Sequence, residues 1–272
     1  MNSESLKHDI QAALSRYPHA EVGVSVRDAS RGVALDVNGD MVFHAASTMK
    51  VAVMIELYRQ AEAGYFALDD SLRITNTFSS IVDGSTYSIE EDNDTEIYSM
   101  LGQSLPIRNL IYRLITSSSN LATNILVGLV SADSVQGTIE RMGTRNMKVL
   151  RGVEDLKAFD AGLNNTTTSA DLALLLEALR DGQAVSPGAS AEMLEVMGDV
   201  PREMITAGPD ERGKVAHKTG MITAHHHDAG LVLPDGGKPY VLVILTRGIA
   251  DEEASARLGR EISGIVYDHL RG

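Results

Sequence analysis

The sequence contains no cysteine among its 272 residues, so the chain has no disulfide bond and no thiolate metal site. Basic residues are also few: 24 lysines and arginines face 37 aspartates and glutamates, and the formal net charge is −13. Nucleic acids and anionic membrane surfaces select basic patches, so neither is expected as a partner. No apolar run is long enough to span a bilayer, and residues 1–8 lack the pattern of a secretory signal. The expected location is the cytoplasm, or the periplasm or exterior if a leader has been removed.

Both ends of the chain combine helix and strand patterns, and the middle is helical. Apolar periodicity predicts helices over residues 3–16 and 251–271, and strands at 21–26, 33–35, 214–219, 228–233 and 240–246. Short connections between the last strands indicate an antiparallel meander. We therefore predict an α+β fold with one five-stranded antiparallel sheet flanked by the terminal helices. Residues 1–44 and 205–272 would form this sheet domain, residues 45–204 an inserted all-helical domain, and the active site would lie in the cleft between them.

The most informative stretch is the apolar helix predicted from His44 onward, which carries Ser47 and Lys50 in its first turn. Residues three apart share a helix face, so the hydroxyl and the amine can touch. A helix that is apolar on nearly every side is normally buried, and burial of an unpaired ammonium lowers its pKa. A partly neutral lysine beside a serine hydroxyl is a general base beside a nucleophile. The alternative is that Ser47 only caps the helix and Lys50 extends its amine to water.

Two further short motifs follow in order, Ser118-Ser119-Asn120 and Lys218-Thr219-Gly220. With Ser47-x-x-Lys50, the ordered set closely resembles the signature of the class A β-lactamase superfamily and its penicillin-binding relatives, in which Ser-x-x-Lys precedes Ser-Asp-Asn and Lys-Thr-Gly. The resemblance covers nearly the whole chain, and the order agrees with the split sheet. It implies a β-lactamase/transpeptidase-like fold and acyl transfer through a covalent acyl-enzyme.

The resemblance also implies a role for each motif residue. Ser47 would attack the carbonyl and Lys50 would act as the nearby base. Ser118 would relay a proton to the leaving group, and Asn120 would donate to the amide carbonyl of the substrate. The remaining substrate-binding residues would be Lys218 and Thr219 for a carboxylate, Gly220 in the same motif, and Met221, whose backbone N–H would complete an oxyanion hole with that of Ser47.

The deacylation step depends on the loop that opens at Arg151. The family's Glu-x-x-Leu-Asn segment is not matched, because Glu154 is followed by Asp155-Leu156-Lys157. Glu154 is a candidate base for the deacylating water. It could equally form a salt bridge to Arg151 or Lys157, and both interpretations stay open.

The sequence differs from the family motifs in two smaller respects. Ser119 stands where the motif has aspartate, a mainly structural position, and no arginine accompanies Lys-Thr-Gly. His225 and His227 would share a strand face and could bind zinc with Asp228. The favoured interpretation is that they are polar residues at the start of a strand near the cleft and bind no metal. The acidic residues between Ser79 and Glu96 are interpreted as solvated surface.

The sequence therefore predicts a serine hydrolase of β-lactamase type that needs no cofactor and no metal. The expected partner is a small molecule with a carboxylate, which could be a β-lactam, a peptide or an ester, and the chain is expected to act as a monomer. The alternatives are a D-alanyl-D-alanine-type peptidase or an esterase, and a penicillin-binding or sensor domain that acylates without efficient deacylation.

Overall fold

The computed structural model describes residues 3–206 and 213–271, which form a five-stranded sheet with helices on both faces. The helices are α1 (Ser3–Leu14), α2 (Lys50–Glu62), α3 (Ile107–Thr116), α4 (Asn120–Val130), α5 (Ala132–Met142), α6 (Leu156–Asp160), α7 (Ser169–Arg180), α8 (Pro187–Gly198) and α9 (Glu252–Arg271). The strands are β1 (Glu21–Asp28), β2 (Val33–Val37), β3 (Phe43–His44), β4 (Ser71–Arg73), β5 (Phe78–Ser79), β6 (Thr86–Tyr87), β7 (Ser104–Pro106), β8 (Thr166–Thr167), β9 (Lys214–Ile222), β10 (His225–Leu233) and β11 (Tyr240–Arg247).

The large sheet has the order β2-β1-β11-β10-β9, and every neighbouring pair is antiparallel. The first two strands come from the start of the chain and the last three from its end, so the predicted α+β fold is confirmed. The hairpin between β9 and β10 is tighter than predicted, because only Thr223 and Ala224 separate the strands. Ala224 takes a positive φ of 55°, which such a short connection requires. As a result β9 continues past Lys218 to the rim of the candidate site.

The sheet is buried on both faces. Helices α1 and α9 cover one face, where Val22, Val24 and Val26 lie in the core. Helix α7 covers the other, over β1, β10 and β11. The alternation in β1 predicted a half-buried strand, but Ser25 on the second face is also fully buried. Its hydroxyl bonds with the Ser169 hydroxyl at 2.9 Å, which satisfies the polar group beneath α7.

The helix predicted from His44 onward is divided at Lys50. Residues Ala46–Met49 form a 3₁₀ turn, and α2 begins with Lys50. Ala46 has a φ of 45°, so the chain turns sharply where it leaves β3. Every residue of α2 from Lys50 to Tyr58 is buried, as its apolar composition predicts.

The middle of the chain is mainly helical, and it also carries five strands of two or three residues, β4 to β8. Strands this short do not produce a periodic pattern, so sequence analysis does not detect them. The domain boundaries at residues 44 and 204 stay a prediction. Within the described residues, no helix combines the length and apolar character that a bilayer crossing requires.

Candidate active site

A cavity of 610 Å³ lies where the 3₁₀ turn, the start of α4, the loop 151–165 and the end of β9 meet. Its lining includes Ser47, Asn120, Glu154 and Met221, which come from those four segments. A cleft of this size in which polar groups from distant segments converge is the natural candidate for an active site.

Ser47 lies half-buried on the 3₁₀ turn at the wall of this cleft. The turn packs against the end of β9 at Gly220, where a Cβ atom would come within 3.0 Å of the backbone nitrogen of Ser47. It would also lie 3.1 Å from the nitrogen of Thr48. Only glycine allows this approach without a shift, and the approach brings the backbone N–H groups of the turn close to the strand that carries Met221.

The amine of Lys50 is fully buried and donates to three acceptors from one short segment. The acceptors are the carbonyl of Ser118 at 2.7 Å, its hydroxyl at 3.1 Å and Oδ1 of Asn120 at 3.1 Å. No hydrogen bond joins the side chains of Ser47 and Lys50, because the three acceptors draw the amine toward residues 118–120. Within residues 3–206 and 213–271, the Ser47 hydroxyl has no hydrogen-bond partner.

Burial holds the pKa of Lys50 well below its usual range, and the positive charge of Lys218 lowers it further. The carboxylates of Asp92 and Glu154 act in the opposite direction. Two of the three acceptors can take N–H bonds from a neutral amine, and the Ser118 hydroxyl can then donate to the nitrogen lone pair. The buried amine can therefore hold or release a proton without losing its partners.

Ser118 and Asn120 are held at the break between α3 and α4. Ser118 adopts a φ of 53°, a conformation uncommon for a residue with a side chain. Ser119 caps α4 by accepting from the backbone N–H of Ala122 at 3.2 Å. This break turns both the carbonyl and the hydroxyl of Ser118 toward Lys50.

Lys218 is buried beside the cleft, and its ammonium donates to the carbonyl of Thr219 at 3.0 Å. Burial lowers its pKa to about 8, against the raising effect of Asp228 and Glu203. Lys218 is therefore a buried cation at neutral pH, whereas Met221, three residues further along β9, lines the cavity and is 48% exposed.

Glu154 extends into the cleft from the loop 151–165 with a φ of 61°. One carboxylate oxygen accepts from Nδ2 of Asn120 at 3.3 Å. Neither alternative ion pair forms in the described part of the chain: Lys157 binds Asp83 at 2.8 Å, and Arg151 donates to carbonyls and to Asn164. Partial burial raises the pKa of Glu154, and Glu91 raises it further.

Asn124, on the second turn of α4, binds the backbone of this loop at the residue before Glu154. Its Oδ1 accepts from the backbone N–H of Val153 at 2.7 Å, and its Nδ2 donates to the Val153 carbonyl at 3.0 Å. A Cβ on Gly152 would lie 2.1 Å from the same Oδ1, so only glycine fits at that position. The side chain of Asn124 thus determines where the residue before Glu154 lies.

With this geometry established, comparison with known proteins identifies the family. The model of the β-lactamase enzyme family matches residues 5–270 of the chain. The chain belongs to that family.

Individual relatives of this β-lactamase family member are distant. A β-lactamase of Rhodobacter capsulatus is 25% identical over 258 residues, which cover 92% of this chain and 84% of the relative. Among solved structures, a mutant of PBP-A described as an acyl-enzyme complex with penicillin G is 26% identical, with a TM-score of 0.84 over 98% of this chain and 97% of that one. The extended-spectrum β-lactamase TLA-3 is 20% identical but has a TM-score of 0.85 over 100% of both chains, so it shares the fold.

The histidines at the hairpin have separate structural partners. Buried His227 donates from Nε2 to the carbonyl of His44 at 2.9 Å, and its Nδ1 accepts from the backbone of Thr246 at 3.2 Å. Burial lowers its pKa to about 4, in agreement with a neutral ring. His225 lines the cleft and binds the carbonyl of Thr223 at 3.0 Å. Among the described residues, no cluster of three or more His, Asp or Glu side chains is arranged to hold a metal ion.

On the far side of β9, His217 and Asp228 form a fully buried pair. Nδ1 of His217 donates to Asp228 at 2.8 Å, and Nε2 donates to the carbonyl of Val200 at 3.1 Å. Because both ring nitrogens face acceptors, the protonated ring is favoured, and the pKa of His217 is raised despite the opposing effect of burial, with Asp228 as the main raising cause. These contacts give His217 a structural role beneath the strand that carries Lys218.

Sequence analysis missed Asn124 and Asp92. Asn124 lies in an otherwise apolar helix, and a buried amide there is a signal that a nearby backbone needs partners. Asp92 is one of the acidic residues that the sequence predicts as solvated surface, but one of its oxygens accepts from the Ser119 hydroxyl and from the backbone N–H of Leu121. Asp94 of the same group is buried and pairs with Arg113 at 2.8 Å.

Proposed function

We propose that this chain is a serine hydrolase that forms an acyl-enzyme on Ser47 and hydrolyses the amide of a β-lactam. One observation carries the proposal: Ser47 lies on the cleft wall next to a fully buried lysine whose amine is held by Ser118 and Asn120. Membership of the β-lactamase enzyme family supports the same reaction class.

In the acylation step, the Ser47 hydroxyl turns toward Lys50, whose lowered pKa lets the neutral amine accept the proton. The serine oxygen forms a bond to the substrate carbonyl carbon, and the carbon–nitrogen bond of the amide breaks. The Ser118 hydroxyl, bonded to the Lys50 amine at 3.1 Å, passes a proton to the leaving nitrogen. The tetrahedral oxyanion is stabilised by the backbone N–H groups of Ser47 and Met221, beside the close approach at Gly220.

The substrate we propose is a small molecule with a carboxylate, bound by a single copy of the chain. Lys218, with a pKa of about 8, and Thr219 bind the carboxylate. Nδ2 of Asn120, whose two hydrogens bond to the Glu91 carbonyl and to Glu154, gives up the first of these bonds to donate to the amide carbonyl of the acyl side chain. The formal net charge of −13 makes a local buried cation the main source of attraction for an anionic group.

In the deacylation step, Glu154 takes a proton from water, and the water oxygen bonds to the ester carbonyl carbon. The bond from that carbon to the serine oxygen then breaks, and Lys50 returns a proton to Ser47. A raised pKa makes Glu154 a stronger base than an ordinary surface carboxylate. Its bond to Asn120 keeps the carboxylate on the same side of the cleft as the acyl group.

A second candidate function is a penicillin-binding protein that stays acylated. It is favoured by Glu154 itself, whose exposed carboxylate has one 3.3 Å hydrogen bond and lies on a loop that departs from the Glu-x-x-Leu-Asn pattern. The structural similarity to PBP-A, at 26% identity, supports this alternative. A peptidase or an esterase would use the same acylation groups.

The test is the intact mass of the protein followed over time after mixing with penicillin G, with Ser47→Ala as the control. A transient adduct on Ser47 with release of hydrolysed penicillin supports the β-lactamase. A persistent adduct supports the penicillin-binding protein. No adduct with penicillin, but turnover of an activated ester that Ser47→Ala abolishes, supports an esterase or a peptidase and contradicts β-lactam hydrolysis.

A further inference from the structure

The segment between β6 and β7 contacts the start of α4 through one carboxylate, that of Asp92. Oδ2 of Asp92 accepts from the backbone N–H of Leu121 at 2.8 Å and from the Ser119 hydroxyl at 3.1 Å. The hydroxyl of Tyr98 donates to the same oxygen at 3.4 Å. The carboxylate thus lies at the N-terminus of an eleven-residue helix, where the helix dipole favours negative charge.

The residues that Asp92 holds are those that hold the Lys50 amine. Ser119 lies between Ser118 and Asn120, which provide all three acceptors for that amine. The same loop adds a second contact, because the carbonyl of Glu91 accepts from Nδ2 of Asn120 at 3.3 Å. Residues 91 and 92 therefore bind the side chains or backbone of three consecutive residues, 119–121.

The loop is itself fixed to α3. Oδ1 of Asp92 accepts from the backbone of Asp94 at 3.1 Å, and both carboxylate oxygens of Asp94 accept from Arg113, at 2.8 and 2.9 Å. The carbonyl of Arg113 accepts from the backbone N–H of Ser119 at 3.1 Å. The loop, the end of α3 and the start of α4 form one hydrogen-bonded unit around the strained Ser118.

We infer that Asp92 is a positioning residue for acylation: it supplies, from a distant loop, the carboxylate that the family motif carries at the position of Ser119. It acts through Ser119 and Leu121, which orient Ser118 and Asn120 against Lys50. This role rests on the proposed acylation of Ser47. It explains why serine suffices in the middle of the motif: the hydroxyl both caps α4 and donates to Asp92, which aspartate cannot do.

The test is a double-mutant cycle of Asp92→Ala and Ser119→Asp, read by the rate at which a fluorophosphonate labels Ser47. In that reaction the serine oxygen bonds to phosphorus, the phosphorus–fluorine bond breaks, fluoride leaves and Lys50 accepts the proton. Asp92→Ala should slow labelling by about tenfold to a hundredfold, the effect of losing hydrogen bonds to a charged group. Ser119→Asp alone should also slow labelling, because it places a second carboxylate beside Asp92.

The double variant decides the matter. The double variant moves the carboxylate from residue 92 to residue 119, so labelling should return to within about threefold of the wild-type rate. Comparison of the double variant with both single variants gives the coupling between the two residues. Labelling of Asp92→Ala at the wild-type rate would overturn the inference. A double variant no faster than Asp92→Ala would also overturn it, because Asp92 would then act other than by supplying this carboxylate.

Two further variants complete the design. Glu90→Ala removes an exposed carboxylate from the same loop and should leave labelling unchanged. If Asp92→Ala does not fold, Asp92→Asn replaces it in the cycle, because an amide oxygen keeps the bond to Leu121 while the charge is removed. Penicillin G acylation of the wild type is measured separately, so a protein that ignores penicillin but shows the labelling pattern would contradict the proposed function and support the role of Asp92.

Discussion

The two halves of the candidate site differ in how the fold supports them. The half proposed for acylation consists of Lys50, Asn120 and Lys218, which lie on helices and on the central sheet, and Ser118, which lies at the break between α3 and α4. The half proposed for deacylation consists of Glu154, an exposed residue on a loop, next to Val153, which Asn124 holds. Groups anchored in the core keep their geometry when the surface changes, whereas a loop residue depends on a few local bonds. We therefore expect surface changes to leave the geometry of the first half unchanged and to shift the position of Glu154 in the second.

The largest expected effect comes from breaking the acylation half at Lys50. Lys50→Met fills the same buried space without the amine, so acylation by penicillin G should fall by about a thousandfold, the effect of removing a general base. The melting temperature should fall, because the Ser118 carbonyl and Oδ1 of Asn120 lose their buried donor. Stopped-flow acylation and calorimetry measure the two quantities. A variant that acylates normally would show that Lys50 is not the base.

The next largest effect is expected from a substitution at Glu154, which should slow deacylation and leave acylation nearly unchanged. Glu154→Gln should slow deacylation by about a hundredfold, because the base for the water is lost. It should change acylation less than threefold, because the amide oxygen of glutamine can still accept from Asn120. The acyl-enzyme should then persist in the mass spectrum. Glu90→Gln, in an exposed position outside the cleft lining, is the matched control and should behave as wild type. If Glu154→Gln slows acylation as much as deacylation, the proposal that Glu154 acts in deacylation alone is contradicted.

A smaller effect should follow from displacing the loop without touching a titratable group. Gly152→Ala forces a Cβ atom toward Oδ1 of Asn124, 2.1 Å away, and should destabilise the fold by about 1–3 kcal/mol, as overpacking does. Deacylation should slow by about tenfold, because Glu154 moves with the loop. Denaturant unfolding and the decay of the acyl-enzyme test both parts. Gly188→Ala, where the added Cβ meets no atom within 4 Å, is the control.

The smallest effect concerns pH. Lys218 has a pKa of about 8, so the ammonium is charged below that pH and becomes neutral as the pH rises through it. Binding of a substrate carboxylate should weaken over this interval by several-fold, since one charge-assisted hydrogen bond is lost. Binding of penicillin G to Ser47→Ala between pH 6.5 and 9.5 measures this directly. A methyl ester of the same penicillin should show no such change, and a flat profile for the free acid would contradict the role of Lys218.

The sequence by itself determined the central features. The apolar residues around Lys50 predict its burial, the alternating runs at both ends predict the sheet, and the ordered motifs predict which side chains meet in the cleft. These features are readable because burial and strand pairing impose periodic patterns, and because the motifs keep their spacing within each segment.

Only the tertiary structure decided the polar contacts between segments. The bond of Asp92 to Ser119, the hold of Asn124 on Val153 and the choice of Asn120 as partner for Glu154 join loops and helices that local spacing does not relate. A carboxylate in a polar loop has the same local signature whether it faces water or caps a helix nearby. Its partner is determined by where the core elements bring the backbone N–H groups that need an acceptor, and those positions exist only once the chain has folded.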